Sequence, residues 1–420
     1  MSSRWLVIGL SAAAMAACGG GEISAPASST AGAVGGAGGA TAQVAGDPFD
    51  VPLDGVSREE VRAFNQGDAL FSLHLYPGDG LGPLYTKTAC VDCHQEGTRG
   101  PGLVQKMSVV MPDGVTPAAD QSKLAFGHTV HPLVAAGATT PIVPPADDAV
   151  KVSIRIGPAV LGRGYMEAIA DAEIMRVAGD QAARTDAIHG RPNHTSYQSD
   201  PNPDTRFHQH QKGDSVIGRF GVKARVPTLD DFTADALNGD MGITSPLRPV
   251  EFNNPDGLAD DLKPGIDVTA DSVNGRATYM RYLAIPRRTE DAKGAALFAQ
   301  AKCSVCHVPT MKTRADYPIA LLAGIDAPVY TDLLLHDMGD TLADGLSGAD
   351  FEATSREWRT SPLIALRFFK EYLHDGRAKS VEEAITMHDG PGSTASESVQ
   401  LFQSLSPEDR TALVAFVSAL

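Results

Sequence analysis

The sequence is poor in aromatic residues, at 6% of 420 with only two tryptophans, so it has few large rings of its own from which to build a core. Basic charge is also short: 35 Lys and Arg face 51 Asp and Glu, a formal net charge of −16. That balance argues against a nucleic-acid partner and for solubility or the steering of basic partners. The apolar run LVIGLSAAAMAA (6–17) is too short to cross a bilayer as a permanent helix. Cysteine is scarce too, at five, and four of the five fall into two identical C-x-x-C-H motifs, CVDCH (90–94) and CSVCH (303–307). In a reducing compartment such a C-x-x-C pair could be a redox dithiol or half of a zinc site, so the compartment decides the reading.

The fifth, Cys18, follows Arg4, the short apolar run and the small pair Ala16–Ala17. That order reads as a secretory signal ending at a bacterial lipoprotein cleavage site, with Cys18 as the lipidated N-terminus. An ordinary cleaved signal with an incidental cysteine is the competing reading. Gly19 in place of aspartate favours an outer-membrane lipoprotein facing the periplasm or cell surface. Residues 19–46 are almost all Gly, Ala, Ser, Thr and Pro, a composition that buries too little to fold and serves as a tether. About 370 residues remain, enough for two or three domains.

Export decides how the paired motifs are read. In an exported protein the C-x-x-C-H pattern marks a covalently attached c-type haem: the thiols add across the vinyl groups, and the histidine becomes the proximal iron ligand. Cys90, Cys93 and His94 are therefore assigned to one haem, and Cys303, Cys306 and His307 to a second. Two haems would supply the large apolar bodies that the composition lacks.

The sequence repeats itself once. GDALF (67–71) leads to the first motif and GAALF (294–298) to the second, with 14 extra residues in the first interval. A capping box is expected from Ser57 to Glu60, with Val61 and Phe64 facing inward. SPEDRTALVAFVSAL spells a C-terminal helix, with Ser406 as cap, Pro407 at its first position and a stripe of Leu413, Phe416, Val417 and Leu420. The expected architecture is mainly α: an N-terminal cytochrome c-like haem domain with an irregular, minor-β insertion over 47–285, then a C-terminal cytochrome c domain over 286–420. VKVSIRI (150–156) alternates strictly and predicts a half-buried strand. The stretch 184–214 reads as loop, and its HQH (208–210) as solvated rather than metal-binding.

The sixth ligand separates electron carriers from peroxide-activating haems. SVEEAITMHD (380–389) predicts a short helix capped by Ser380 and Glu383. At 100° per residue, Ala384, Ile385 and His388 fall within about 60° of Val381, whereas Met387 lies roughly 120° away. The helix therefore aims His388, not Met387, at the interior, where it can ligate the second iron. Met338 competes for that role.

These motifs, with RTSPLIAL (359–366) and YLHDGRAKSVEEAI (372–385), resemble the bacterial di-haem cytochrome c peroxidase and MauG superfamily. GPAVLGRGYMEAIADAEI (157–174), GRFGVKARVPTLDDF (218–232), GDMGITSPL (239–247) and YTDLLLHDMGDTLADG (330–345) resemble its di-haem oxidoreductase branch, and the likeness extends over nearly everything after residue 60. The resemblance implies peroxide activation at the N-terminal haem and electron relay through the C-terminal one, with His388 as the latter's distal ligand. It implies that Asp240 of GDMG is the distal acid; an acid merely capping a turn beside Gly239 and Gly242 is the alternative. It implies a small cytochrome as electron donor, hydrogen peroxide as oxidant, and calcium between the haems near Thr360 and Pro362. His374, Asp375 and Arg377 look like propionate and interdomain contacts. Where relatives have a tryptophan between the haems, RFGVKA offers Phe220 and Val222. An electron carrier without peroxidase activity, or a MauG-like oxidant of a partner molecule, are the other functions open to such a protein.

Overall fold

The computed structural model describes residues 43–44 and 49–420, apart from 96–98, 136, 260–261, 290 and 347–349. The expected signal sequence, the lipidated Cys18 and nearly all of the tether lie outside the described residues. No helix among the described residues is long and apolar enough to cross a membrane.

Ten α-helices occur among the described residues, and the first begins where the sequence puts it. α1 (Arg58–Ser72) is capped by a complete box: the Glu60 amide donates to Ser57 Oγ at 3.2 Å, and the Ser57 amide donates to Glu60 Oε2 at 2.7 Å. Phe64 is fully buried and Val61 half-buried. α2 (Arg163–Ala168), α3 (Asp171–Ala182), α4 (Leu229–Met241) and α5 (Ala270–Tyr282) follow in the first half. The second half holds α6 (Ala292–Gln300), the single turn α7 (Cys303–Cys306), α8 (Val381–Thr386), α9 (Ser396–Ser404) and α10 (Pro407–Ala419).

The sequence repeat has a physical meaning. Gly67 of the first copy is where α1 crosses α5: an added Cβ would sit 2.2 Å from the Gly275 carbonyl oxygen and 2.9 Å from Tyr279 Cβ. Gly294 of the second copy is where α6 crosses α10, and its Cβ would meet Phe416 Cβ at 2.3 Å. The phenylalanine that ends each copy lies beside its own motif. Phe71 is 6.2 Å from the His94 ring centre, and Phe298 is 6.5 Å from that of His307. Each copy thus places one helix crossing and one aromatic wall around a C-x-x-C-H turn. The final helices are matched as well, with Thr269 capping α5 through Ser272 and Ser406 capping α10 through Asp409.

The core is shared between the halves. Its largest cluster joins Phe64, Phe71, Met280 and Leu283 to Met311, Tyr317, Ile319 and Leu333. A second cluster binds α6, α8, α9 and α10 through Phe298, Val381, Phe402 and Phe416.

The strand over Val150–Ile156 forms and pairs antiparallel with Leu103–Val109, but its polar face is the one turned into the protein. Val152 and Ile154 are 40% and 37% exposed, whereas Ser153 is buried. The cause is long-range charge: Arg155 reaches Asp344 and Asp350 at 3.0 and 2.7 Å, and Lys151 Nζ donates to the Gly114 and Ala343 carbonyls. The 184–214 stretch is mostly loop, with one short strand, His194–Ser196. Within its HQH, Gln209 is exposed as expected, but the His208 side chain is buried against Asp230 at 2.8 Å.

Helix propensity alone says that Gly67→Ala should stabilise the protein by about 1 kcal/mol. The crossing reverses that sign, and a loss of about 2–3 kcal/mol is expected. Gly179→Ala in α3, where nothing lies within 4 Å of the added methyl, should instead gain stability. Urea midpoints of the two variants measure the difference; equal gains would refute the crossing as the reason for Gly67.

Candidate functional site

An imidazole can ligate a metal only when neutral and with a free nitrogen. Three histidines meet both conditions in the same way. His94 donates Nδ1–H to the Pro158 carbonyl at 2.6 Å, His307 to that of Tyr330 at 3.1 Å, and His388 to that of Ala384 at 2.6 Å. In each, the tautomer that makes this bond leaves Nε2 free. Burial pushes His94 and His307 down to about 4 and lowers His388 as well. The surface that half-buried His388 leaves open faces a cavity.

That cavity, of about 220 Å³, is lined by Cys303, Cys306 and His307 on one side and by Val381, Ala384, Ile385 and His388 on another. The second group is the face selected by helical phase, and Met387 is not part of it. α8 is shorter than expected, ending at Thr386 with Met387 as cap, but the His388 amide still bonds Ile385 O at 3.1 Å and keeps the phase. Ser380 caps α8 as expected; the Glu383 carboxylate bonds the Lys379 amide, one residue earlier than a capping box requires.

The His307 and His388 ring centres are 6.5 Å apart. Two imidazoles on opposite sides of one metal, each with a metal–nitrogen bond of about 2.0–2.1 Å and about 1.1 Å more to the ring centre, would stand roughly 6.3 Å apart. The donor set and spacing therefore fit a metal held between them. Met338 also lines this cavity.

The four motif cysteines are free thiols, and burial pushes Cys93 and Cys303 up to about 12. Packing around Cys93 is tight enough to require glycine: a Cβ on Gly102 would lie 2.5 Å from Cys93 Sγ, and one on Gly157 would lie 2.2 Å from the Cys93 carbonyl oxygen. Cys306 Sγ is 3.6 Å from His336 Nδ1, and His336 Nε2 is 2.8 Å from Asp332, so these three groups form a buried relay under the second motif. His336 gave no signal in the sequence beyond its place in LLLHDMG.

Asp240 sits in the last turn of α4, not in a loop, and Gly242 ends that helix at φ 69°. Half-buried, it acts on the first motif electrostatically, its charge adding to the burial that raises Cys90 and Cys93. Burial raises Asp240 to about 6, opposed by Lys106 and Arg225 and reinforced by Asp235. Lys106, pushed down to about 8 by burial, and His131, whose Nε2 bonds the Gly239 carbonyl at 2.6 Å, surround the same helix end. Sequence reading missed both, since neither belongs to a recognisable motif.

Arg377 pairs with Asp375 at 2.5 Å, donates to the Thr341 carbonyl and lines neither cavity. His374 of the same HDGR lines both and stacks on Trp358 at 3.7 Å. The second, smaller cavity adjoins the first, sharing Arg99, Val222, Arg359 and His374 with it, and extends to Pro158, the hydrogen-bond partner of His94. Val222 of RFGVKA lines both cavities, while Phe220 is buried beside Phe232.

No curated protein sequence matches the chain. Among solved structures it is similar to the hydrazine synthase of Kuenenia stuttgartiensis, at 13% identity over 95% of this chain and 100% of that one, with a TM-score of 0.37. It is also similar to the dihaem peroxidase BthA of Burkholderia thailandensis, at 14% identity over 86% of each chain, with a TM-score of 0.38. A MauG-like protein associated with microbial copper homeostasis is similar at 14% identity over 68% of this chain and 92% of that one, with a TM-score of 0.28. No residue role is carried over from likenesses this distant. The family model described as "Di-haem oxidoreductase, putative peroxidase" matches residues 145–420. That span is narrower than the resemblance read from the motifs, for it holds CSVCH, Asp240 and His388 but leaves CVDCH outside. Covering well over half of the sequence, the match shows that this protein belongs to the di-haem oxidoreductase family.

Proposed function

We propose that this protein is an exported, lipid-anchored peroxidase-like oxidoreductase with two c-type haems attached at Cys90/Cys93 and Cys303/Cys306. His94 would hold the iron of the first, in an N-terminal cytochrome c-like domain, and His307 and His388 would together hold that of the second, in a C-terminal one. One observation carries the reading: the two motifs have unlike surroundings. His307 is faced by a second imidazole at 6.5 Å, whereas the Cys90–His94 motif feels the charge of a half-buried acid, Asp240.

Haem supplies a redox-active iron whose free coordination position can take peroxide. The protein's part is to orient, to exclude water and to move protons. The backbone carbonyls of Pro158 and Tyr330 fix the planes of His94 and His307. Asp240, held near 6 by burial, would accept a proton from hydrogen peroxide and give it back to the departing oxygen. The Lys106 charge keeps enough of the carboxylate ionised for the first of these transfers. The adjoining cavities, divided by Val222, offer a short path for electrons from the second motif to the first. Electrons would arrive from a small redox protein, and the acidic surface balance suits a basic one.

Ferric-state EPR of the holoprotein tests the core of this reading. A high-spin component that responds to peroxide or cyanide is expected; two low-spin haems indifferent to both, before and after half-reduction, would leave an electron carrier instead. His388→Ala should abolish the bis-nitrogen low-spin signal and Met338→Ala should spare it, with the reverse result assigning Met338.

Asp240 works as a base only when ionised, so kcat/KM for peroxide should rise with pH up to about 6 and level off above. Asp240→Asn should lower kcat/KM by about 10²–10³-fold. Its effect on stability has the opposite sign. The folded-state pKa is raised, so wild type bears the cost of a buried carboxylate above about pH 6 and little of it as pH falls below 4. Asp240→Asn should therefore raise Tm at pH 8, with the gain shrinking toward pH 4. Lys106→Met should move the midpoint of the kcat/KM profile above 6, and an unmoved midpoint would remove Lys106 from the proton path.

A further inference from the structure

The protein is acidic overall, and its buried arginines are mostly matched with acids. Arg155 is paired with Asp344 and Asp350, Arg225 with Asp235, and Arg281 with Glu167 and Asp230. Three arginines at the smaller cavity break that pattern. Arg163 and Arg359 are only 7% and 4% exposed, and both line it together with Arg99. Among the described residues Arg163 donates only to the Ala159 carbonyl and Met166 Sδ, and Arg359 only to the Gly221 and Thr360 carbonyls. Arg99 Nε and Nη2 are buried without a partner. None of the three forms an ion pair with a described carboxylate; Asp375 and Glu371 act on Arg99, and Asp332 on Arg359, only at longer range.

Three guanidiniums buried in mutual repulsion are costly unless an anion joins them. Burial pushes Arg163 down to about 9, with Arg359 and Arg99 adding to the fall, and pushes Arg99 and Arg359 down to about 10. The cluster spans the two motifs: Arg163 lines the same cavity as Pro158, whose carbonyl accepts from His94, and Arg359 and Arg99 also line the cavity of His307 and His388. Its planar forks suit carboxylates bound bidentately. A porphyrin of the haem type carries two carboxylates on one edge.

The same residues disfavour the calcium ion that the resemblance implies near Thr360. The Thr360 carbonyl already accepts from Arg359 Nη1 at 2.8 Å and from Thr331 Oγ1 at 2.6 Å. Calcium takes six to eight oxygen ligands, and here it would meet an occupied oxygen and three positive charges.

We propose that Arg99, Arg163 and Arg359 form one anion site between the haem motifs, which takes porphyrin carboxylates from both sides and stands in place of calcium. The proposal rests on the di-haem reading. It is tested on the full holoprotein by spectroelectrochemical titration. Removing a positive charge beside a haem favours the oxidised state, so Arg163→Gln and Arg359→Gln should each lower at least one midpoint potential by roughly 59 mV, a tenfold change in a one-electron equilibrium. Arg163→Lys and Arg359→Lys should recover much of that shift. Adding CaCl2 or inorganic phosphate to chelator-dialysed wild type should leave Tm and the ferric EPR spectrum unchanged. Potentials unmoved in both Gln variants overturn the proposal, as does a Tm raised by CaCl2, which marks a cation site, or by phosphate, which marks a site for dissolved anions. Should the Gln variants not fold, the wild-type CaCl2 and phosphate titrations decide. Haem content by mass keeps the two readings apart: a wild-type protein without two covalent haems fails the di-haem reading, whereas one with both haems and any of the overturning results fails this inference alone.

Discussion

A neutral imidazole has a single N–H to give, and at His94, His307 and His388 this protein commits it to its own backbone. Much else in the structure depends on that commitment. The carbonyl that receives each proton fixes the plane of the ring, the tautomer and the direction of the remaining lone pair. Burial then keeps the ring neutral, so orientation and protonation state are set by the same packing. The acceptors belong to unlike elements: Pro158 leads out of a strand, Tyr330 sits in a loop with a left-handed backbone at φ 49°, and Ala384 is one turn back along α8. The arrangement is therefore not a by-product of one local motif. It has been reached three times by different backbones.

The repeated G-x-A-L-F segment explains how two such sites could arise from one plan. Its glycine permits a close helix crossing and its phenylalanine closes one wall of the motif, so each copy delivers a C-x-x-C-H turn against a pair of crossed helices. What the repeat does not carry is the opposite wall. In the second copy that wall is α8, which brings an apolar face ending in His388. The first copy has no such helix among its cavity-lining residues; the acid whose charge reaches its motif, Asp240, ends α4, where the helix dipole gives an acid no help and burial raises its pKa. A shared scaffold with unlike surroundings is how one sequence plan can serve two chemical ends.

Local rules made part of this legible. The Ser57 box, the cap of α10 and the phase of α8 are decided within about one or two helical turns, and the residues involved stand next to one another in the sequence. The strand at 150–156 was legible as a strand but not in its facing, because Asp344 and Asp350, which draw Arg155 inward, lie nearly two hundred residues away. His208 left its expected solvent for the same reason, captured by Asp230. Lys106, His131 and the arginine cluster had no local signature at all. A lone basic residue in a polar stretch is normally a solvated one, and only the tertiary fold reveals that these are buried.

The arginine cluster also bears on why the two halves share a core. A protein that buries unneutralised positive charge at the seam between its motifs gains little from folding that seam alone, since each guanidinium loses its water without gaining a counter-ion. If the missing anions arrive with covalently attached cofactors, seam and cofactors become mutually dependent. The seam supplies the cations that neutralise the carboxylates, and the carboxylates remove the repulsion that would otherwise open it. The apolar contacts joining Met280 and Leu283 to Met311 and Leu333 then hold together two halves whose polar boundary is balanced only when both sites are filled. Cofactor attachment would on this argument stabilise the junction as well as each site, which is the linkage expected whenever a ligand binds the folded state and not the unfolded one.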